Sequence, residues 1–157
     1  MKKTISLFIL ALVLFSCGEK KEPISFQKIE VNITDQWGRQ YDLQIDSIGN
    51  TQTLVNDKQT AERTQSFLIN EQILDSISHV VQLVDITKID TVYKDSCDMC
   101  VAYKIMLQKN GKTVSAKVEN IDSNPEAQNL DQLASLLYNV VRTSDQKPDV
   151  LKRKEKK

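Results

Sequence analysis

Histidine occurs once in the 157 residues, as His79, and cysteine three times, so no second Cys or His pair exists to complete a four-ligand zinc site. Only four glycines are present and none are clustered, which excludes the glycine-rich loops that cradle nucleotide phosphates. The apolar run from Ile5 to Phe15, broken only by Ser6, falls short of the ~20 residues that a permanent membrane-crossing helix needs. Neither sign of charge dominates: 21 basic residues face 21 acidic ones, far from the basic surplus of a nucleic-acid binder. A catalytic histidine needs a nucleophile or acid held within reach. Helical spacing instead places His79 opposite an apolar stripe, beside Asp75, Ser76 and Gln82, where an exposed surface residue is expected.

What is present begins with an address. Lys2 and Lys3, the apolar run and a small residue before Cys17 form the three-part layout of a secretory signal. Leu14, Phe15, Ser16 and Cys17 resemble the lipobox of bacterial lipoproteins, with Phe15 bulkier than the usual occupant of its position. That resemblance implies that residues 1–16 are removed and that Cys17 is lipidated, so that membrane lipid is the first partner. Gly18 is not the Asp associated with inner-membrane retention in such lipoproteins, which points by the same resemblance to the outer membrane. The cluster Glu19, Lys20, Lys21, Glu22 resembles charged surface-export signals, leaving the periplasmic and surface faces both open.

The 141 residues left after processing suit one domain. A lipidated tether is expected over 17–25, a single domain over 26–143 and a basic, disordered tail over 144–157, since chain ends with many charges fray. Within the domain, Ile29, Val31 and Ile33 alternate with polar residues, as do Tyr41, Leu43 and Ile45, the period of a half-buried strand. Thr51–Val55 reads as the return strand of a hairpin around Gly49, and a short strand is expected around Ser66–Ile69. Ile73, Leu74, Ile77, Val80, Val81 and Val84 then form the stripe of a helix capped by Asn70. A strand around Ile89–Tyr93 follows, then a hairpin through Asn110-Gly111, the strongest short hairpin signal. Asn124-Pro125 opens a second helix, striped by Leu130, Leu133, Leu137 and Val141.

The expected fold is α+β: an antiparallel sheet of six or seven strands with both helices on one face. Tyr41, Leu43, Ile45 and Gly49 stand 62 residues before Tyr103, Ile105, Leu107 and Gly111, so two similar hairpin-plus-helix halves are either a duplication or a coincidence of pattern. The Tyr-x-hydrophobic-x-hydrophobic strand, Gly turn and striped helix over 103–142 are similar to small uncharacterised domains of exported bacterial proteins, a likeness that carries no activity with it.

Cys97, Asp98, Met99 and Cys100 form the densest chemical cluster. In an oxidising compartment a short disulfide between Cys97 and Cys100 is the expected state. A redox pair would need a helix N-terminus, whereas this one precedes a strand with a carboxylate between the thiols. A soft metal such as copper(I) has Cys97, Met99 and Cys100 as weak candidate ligands, half a site at best. Asp35, Asp42, Asp46 and Asp122 are expected as solvated carboxylates in turns and on polar strand faces. Trp37 is expected to cap the core edge from its turn, the other reading being an exposed partner contact.

The function expected from these features is non-enzymatic, with no catalytic residues and no cofactor. It is a cell-envelope lipoprotein acting as a binding, inhibitor or accessory module for an envelope protein through an exposed sheet face or edge. The alternative is a metal or thiol-redox lipoprotein using Cys97 and Cys100. Labelled palmitate is expected to incorporate into the wild-type chain. Cys17→Ser should abolish the label and leave a larger, unprocessed product; unchanged labelling and size would remove the lipobox reading.

Overall fold

The computed structural model describes residues 23–57, 61–89, 92–94, 101–119 and 125–153. In chain order the elements are β1 (Lys28–Thr34), β2 (Gln40–Asp46), β3 (Asn50–Asn56), β4 (Arg63–Leu68), α1 (Glu71–Leu83), β5 (Val92–Lys94), β6 (Ala102–Lys109), β7 (Lys112–Glu119), α2 (Pro125–Gln146) and the short α3 (Pro148–Leu151). The sheet runs β4-β3-β2-β1-β6-β7-β5, and α2 crosses β1, β2 and β3. The fold is α+β. Its first six strands in sheet order are antiparallel as expected, but β5 lies parallel to β7, because the chain crosses the whole sheet between β4 and β5 and re-enters at the far edge.

β1 is the middle strand, and all seven of its residues pair with both β2 and β6. Its alternate residues Ile29, Val31 and Ile33 are buried, and the same alternation puts Tyr41, Leu43, Ile45, Ile105 and Leu107 into one core with the stripes of both helices. Thr51 and Thr53 are exceptions to the apolar pattern, buried at core positions of β3. Thr53 shares a hydrogen bond of 3.1 Å with Ser144 of α2, whose hydroxyl also donates to the Val141 carbonyl at 2.7 Å, so both polar groups are satisfied. The opposite sheet face, with Asn32, Gln44, Gln52 and Lys104, is exposed.

Both caps of α1 come partly from distant chain. Asn70 caps the N-terminus by accepting from the Ile73 amide at 3.0 Å, while its own amide side chain donates to the Val150 carbonyl at 3.2 Å. No basic residue stands in the last turn of α1. Lys109 from β6 supplies the missing charge, donating to the carbonyls of Val81 at 2.8 Å and Val84 at 3.0 Å.

The similarity between the halves has a geometric origin other than duplication. Ile33 faces both Tyr41 and Tyr103, Val31 faces Leu43 and Ile105, and Ile29 faces Ile45 and Leu107, so one partner strand imposes one pattern on both neighbours. β2 and β6 therefore run the same way with the same face buried, yet β3 and β7 lie to opposite sides of β1. A rotation laying one hairpin on the other would turn its buried face outward, so the two are not copies of one folded unit.

The expected disordered tail is also corrected as far as residue 153. α2 runs on to Gln146 with Ser144 fully buried, and Leu151 is buried beyond it. The Asn70 amide donates to the Leu151 carbonyl at 2.6 Å and the Arg153 amide to the Leu68 carbonyl at 2.8 Å, with a bridge between Ile69 and Lys152. Backbone groups and Leu151 do much of the docking and close part of the open β4 edge, and the side chains add to it: Asp145 pairs with Arg63, and Arg153 lies 3.8 Å from Glu71. The chain before β1 is fixed too: the Ser25 amide donates to the Ser78 hydroxyl at 2.9 Å and the Ser25 hydroxyl to the Ser78 carbonyl at 2.7 Å.

Two turn glycines separate conformation from space. The Asn110-Gly111 hairpin has φ of 53° and 71°, and a methyl at Gly111 meets nothing within 4 Å. Gly49 has φ of 96°, and a methyl there would lie 3.1 Å from Ile69 Cγ2 and 3.3 Å from Leu74 Cδ2. Gly111→Ala is expected to cost about 1 kcal/mol for the left-handed backbone alone. Gly49→Ala should cost roughly 1–2 kcal/mol more for crowding buried side chains. Urea unfolding of the two variants measures this, and equal losses would show that the Gly49 turn is not seated on α1.

Candidate functional site

Asp35 organises the turn between β1 and β2. Its Oδ1 accepts from the amides of Trp37 and Arg39, both at 2.9 Å, and its Oδ2 from Arg39 Nε at 2.9 Å and the Tyr41 hydroxyl at 3.1 Å. The Gly38 amide donates to the Asp35 carbonyl at 2.9 Å, with Gly38 at φ 74°, and the Asp35 amide donates to the Arg39 carbonyl at 3.0 Å. Asp35 is thus not the solvated carboxylate expected from a turn position: it is 5% exposed. A carboxylate has about four acceptor positions, and here the loop it folds and the strand it precedes occupy them all.

Electrostatics hold two donors of this network, Tyr41 and Arg39, in their protonated forms. Burial first, and then the Asp35 charge, push the Tyr41 phenol well above its ordinary value, so it keeps the proton it donates. The Arg39 guanidinium is held above its ordinary value by Tyr41 first; burial opposes this, and Asp35 and then Asp57 add to the rise.

The turn tip carries Trp37, which is 68% exposed. This corrects the expected core-edge placement, and the reason is that the position beneath the turn is already filled. Tyr41 and Tyr138 of α2 meet there edge to face, with ring centroids 5.4 Å apart at 76°. With the amides of residues 37 and 39 both bound to Asp35, the indole is left outside.

Between this turn and the C-terminal half of α2 lies a cleft of about 310 Å³, reached also by Val101, the residue before β6. One helical turn beyond Tyr138, Arg142 lays its guanidinium over that ring at 5.6 Å from the centroid. Asp145, a further lining residue, is gripped by Arg63 of β4 through Nε at 2.8 Å and Nη2 at 3.1 Å, a two-pronged pair that ties the sheet edge to the end of α2. A second depression, about 380 Å³ on the outer sheet face, contains Asp46. That carboxylate serves its own turn: burial opposes ionisation, but hydrogen bonds from Asn50, Ile48 and Gly49 outweigh it and hold Asp46 below the usual range.

Of the residues singled out from sequence for their chemistry, Trp37 and Asp35 reach the cleft. His79 is exposed on α1, at the other end of the molecule. Cys17, Cys97, Met99, Cys100 and Asp122 lie outside the described residues. Among the described residues no three His, Cys, Asp or Glu side chains converge as metal ligands, and no helix is long and apolar enough to cross a membrane. Sequence reasoning missed Asp35, Arg39, Tyr138 and Arg142 as a group. The one available signal was Asp-x-x-Gly between two alternating strands, which marks a turn folded by its own first side chain. No protein-family model matches the sequence, and no curated protein matches it either.

Replacing the hub should cost far more than replacing one spoke. Asp35→Ala leaves the buried Tyr41 hydroxyl and two turn amides without their acceptor and is expected to lose about 2–4 kcal/mol in urea unfolding. Tyr41→Phe removes one donor of four and should lose about 1 kcal/mol. A loss for Asp35→Ala no larger than that for Tyr41→Phe would mean that the turn is held by something else.

Proposed function

We propose that this chain is a lipid-anchored binding module of the bacterial cell envelope, acting without catalysis, which holds a partner protein at the β1–β2 turn. The observation that carries this reading is an exposed tryptophan on a turn held by four hydrogen bonds to Asp35, set beside Tyr138, Arg39 and Arg142. Trp, Tyr and Arg are the residues in which the energy of protein contacts concentrates, and rigid presentation lowers the ordering cost of binding. From the turn, the uncovered face of β1, β2 and β3 is open to extend the contact.

The anchor reading gives this end a direction. Cys17 lies six residues before Pro23, a reach of at most ~20 Å. The chain enters the domain at Ser25, against α1 and between the β2–β3 and β6–β7 turns. β1 then carries it about 20 Å further, at ~3.3 Å per residue, before Asp35 turns it. A domain tethered through Cys17 therefore offers the Trp37 cleft outward, toward molecules away from its own membrane.

A photoreactive amino acid placed at position 37 in cells is expected to yield a discrete protein adduct, weaker from position 44 on the outer sheet face and absent from position 79 on α1. Adducts of equal strength from position 79, or none from position 37, would remove this reading.

A further inference from the structure

The cleft beside Trp37 has an imbalance between donors and acceptors that specifies its ligand. Both of its carboxylates are spent. Asp35 accepts four hydrogen bonds from its own turn and from Tyr41, and Asp145 is held side-on by Arg63. The donors are not spent. Arg39 commits Nε to Asp35 and also feels the charge of Asp57, and its terminal N–H groups remain on a side chain 41% exposed. Arg142 stacks a face on Tyr138, which leaves the edge of its guanidinium, where all five N–H groups lie, free of any described ion pair. The exposed Trp37 indole adds one more donor and an apolar surface.

We propose that this cleft receives a carboxylate side chain, Asp or Glu, from an acidic segment of the partner protein, with an apolar neighbour of that residue lying on Trp37. A group that brings acceptors and negative charge gains most here, since Arg142 carries a charge matched by no described ion pair and Arg39, though paired with Asp35, keeps its terminal N–H groups at the surface. Gln36 and Gln146 can serve as either donor or acceptor. The planar fork of a guanidinium matches a carboxylate in two parallel hydrogen bonds, which a lysine would not provide. At about 310 Å³ the space takes one acidic side chain and the edge of its neighbour, the small end of the range for enclosed ligands. The inference rests on the binding reading above and adds the chemistry of what is bound.

The test is a selection of random twelve-residue peptides on the purified full chain and, in parallel, on Arg142→Gln. Binding of an enriched peptide is then followed by the fluorescence of Trp37, the sole tryptophan. Peptides enriched on the wild type are expected to share an Asp or Glu beside an apolar residue. Changing that acid to its amide should weaken binding about tenfold or more, and Arg142→Gln should weaken it similarly, with Arg142→Lys restoring only part of the loss. Unchanged unfolding of the Arg142 variants in urea excludes a folding defect.

Enriched peptides without an acid, equal binding by the amide peptide or by Arg142→Gln, no enrichment at all, or displacement of the peptide by millimolar inorganic phosphate as readily as by acetate would each overturn the proposal. If a partner crosslinks from position 37 while the acid proves irrelevant, the binding module stands and only its carboxylate chemistry falls.

Discussion

Full pairing of β1 on both sides is the constraint from which the rest of the architecture follows. Seven residues of one strand are held by β2 and by β6, whose partner residues lie about 70 positions further along the chain. That double ladder fixes which face is buried, since a slip of one residue on either side would expose Ile29, Val31 and Ile33 together. It also divides the molecule into two ends. The incoming chain, the two glycine hairpins, α1 and the exit after α3 gather at one; the Asp35 turn and the end of α2 meet at the other.

The two ends are stabilised by different physics. At the α1 end, backbone groups left over by a helix are taken up by residues remote in sequence, Asn70 with Val150 and Lys109 with Val81 and Val84. At the turn end, a nearly buried carboxylate is tolerated because every acceptor position is filled and a guanidinium sits against it; buried charge is otherwise strongly unfavourable. That arrangement frees Trp37. An indole in ordinary domains is held by burial, whereas here the turn is held by Asp35 and the ring takes no part in folding the segment that displays it.

Much of the fold was legible in the sequence. Alternation marked the strands because one face of each is buried, Asn110-Gly111 marked its hairpin by the need for two left-handed residues, and the stripes of both helices were continuous enough to read. What escaped was set by partners far along the chain. Asp35 resembles any turn aspartate until Tyr41 and Tyr138 close over it. Trp37 was expected inward because tryptophans are usually buried, and nothing local shows that its place is taken. The charges of Lys152 and Arg153 read as disorder, while the backbone, Leu151 and the pairing of Arg153 with Glu71 hold the segment in place. The parallel strand β5 is three residues long, too short for periodicity to give its direction.

Under the anchoring and binding proposed above, β1 spaces the end where the tether enters from the end that carries Trp37. The sole tryptophan lies on the second, so its fluorescence reports directly on that separation. In vesicles carrying the lipidated protein, the account predicts that Trp37 is quenched by acrylamide in the water and not by brominated acyl chains in the bilayer. Strong quenching by the brominated lipid would place the turn against the membrane and contradict it.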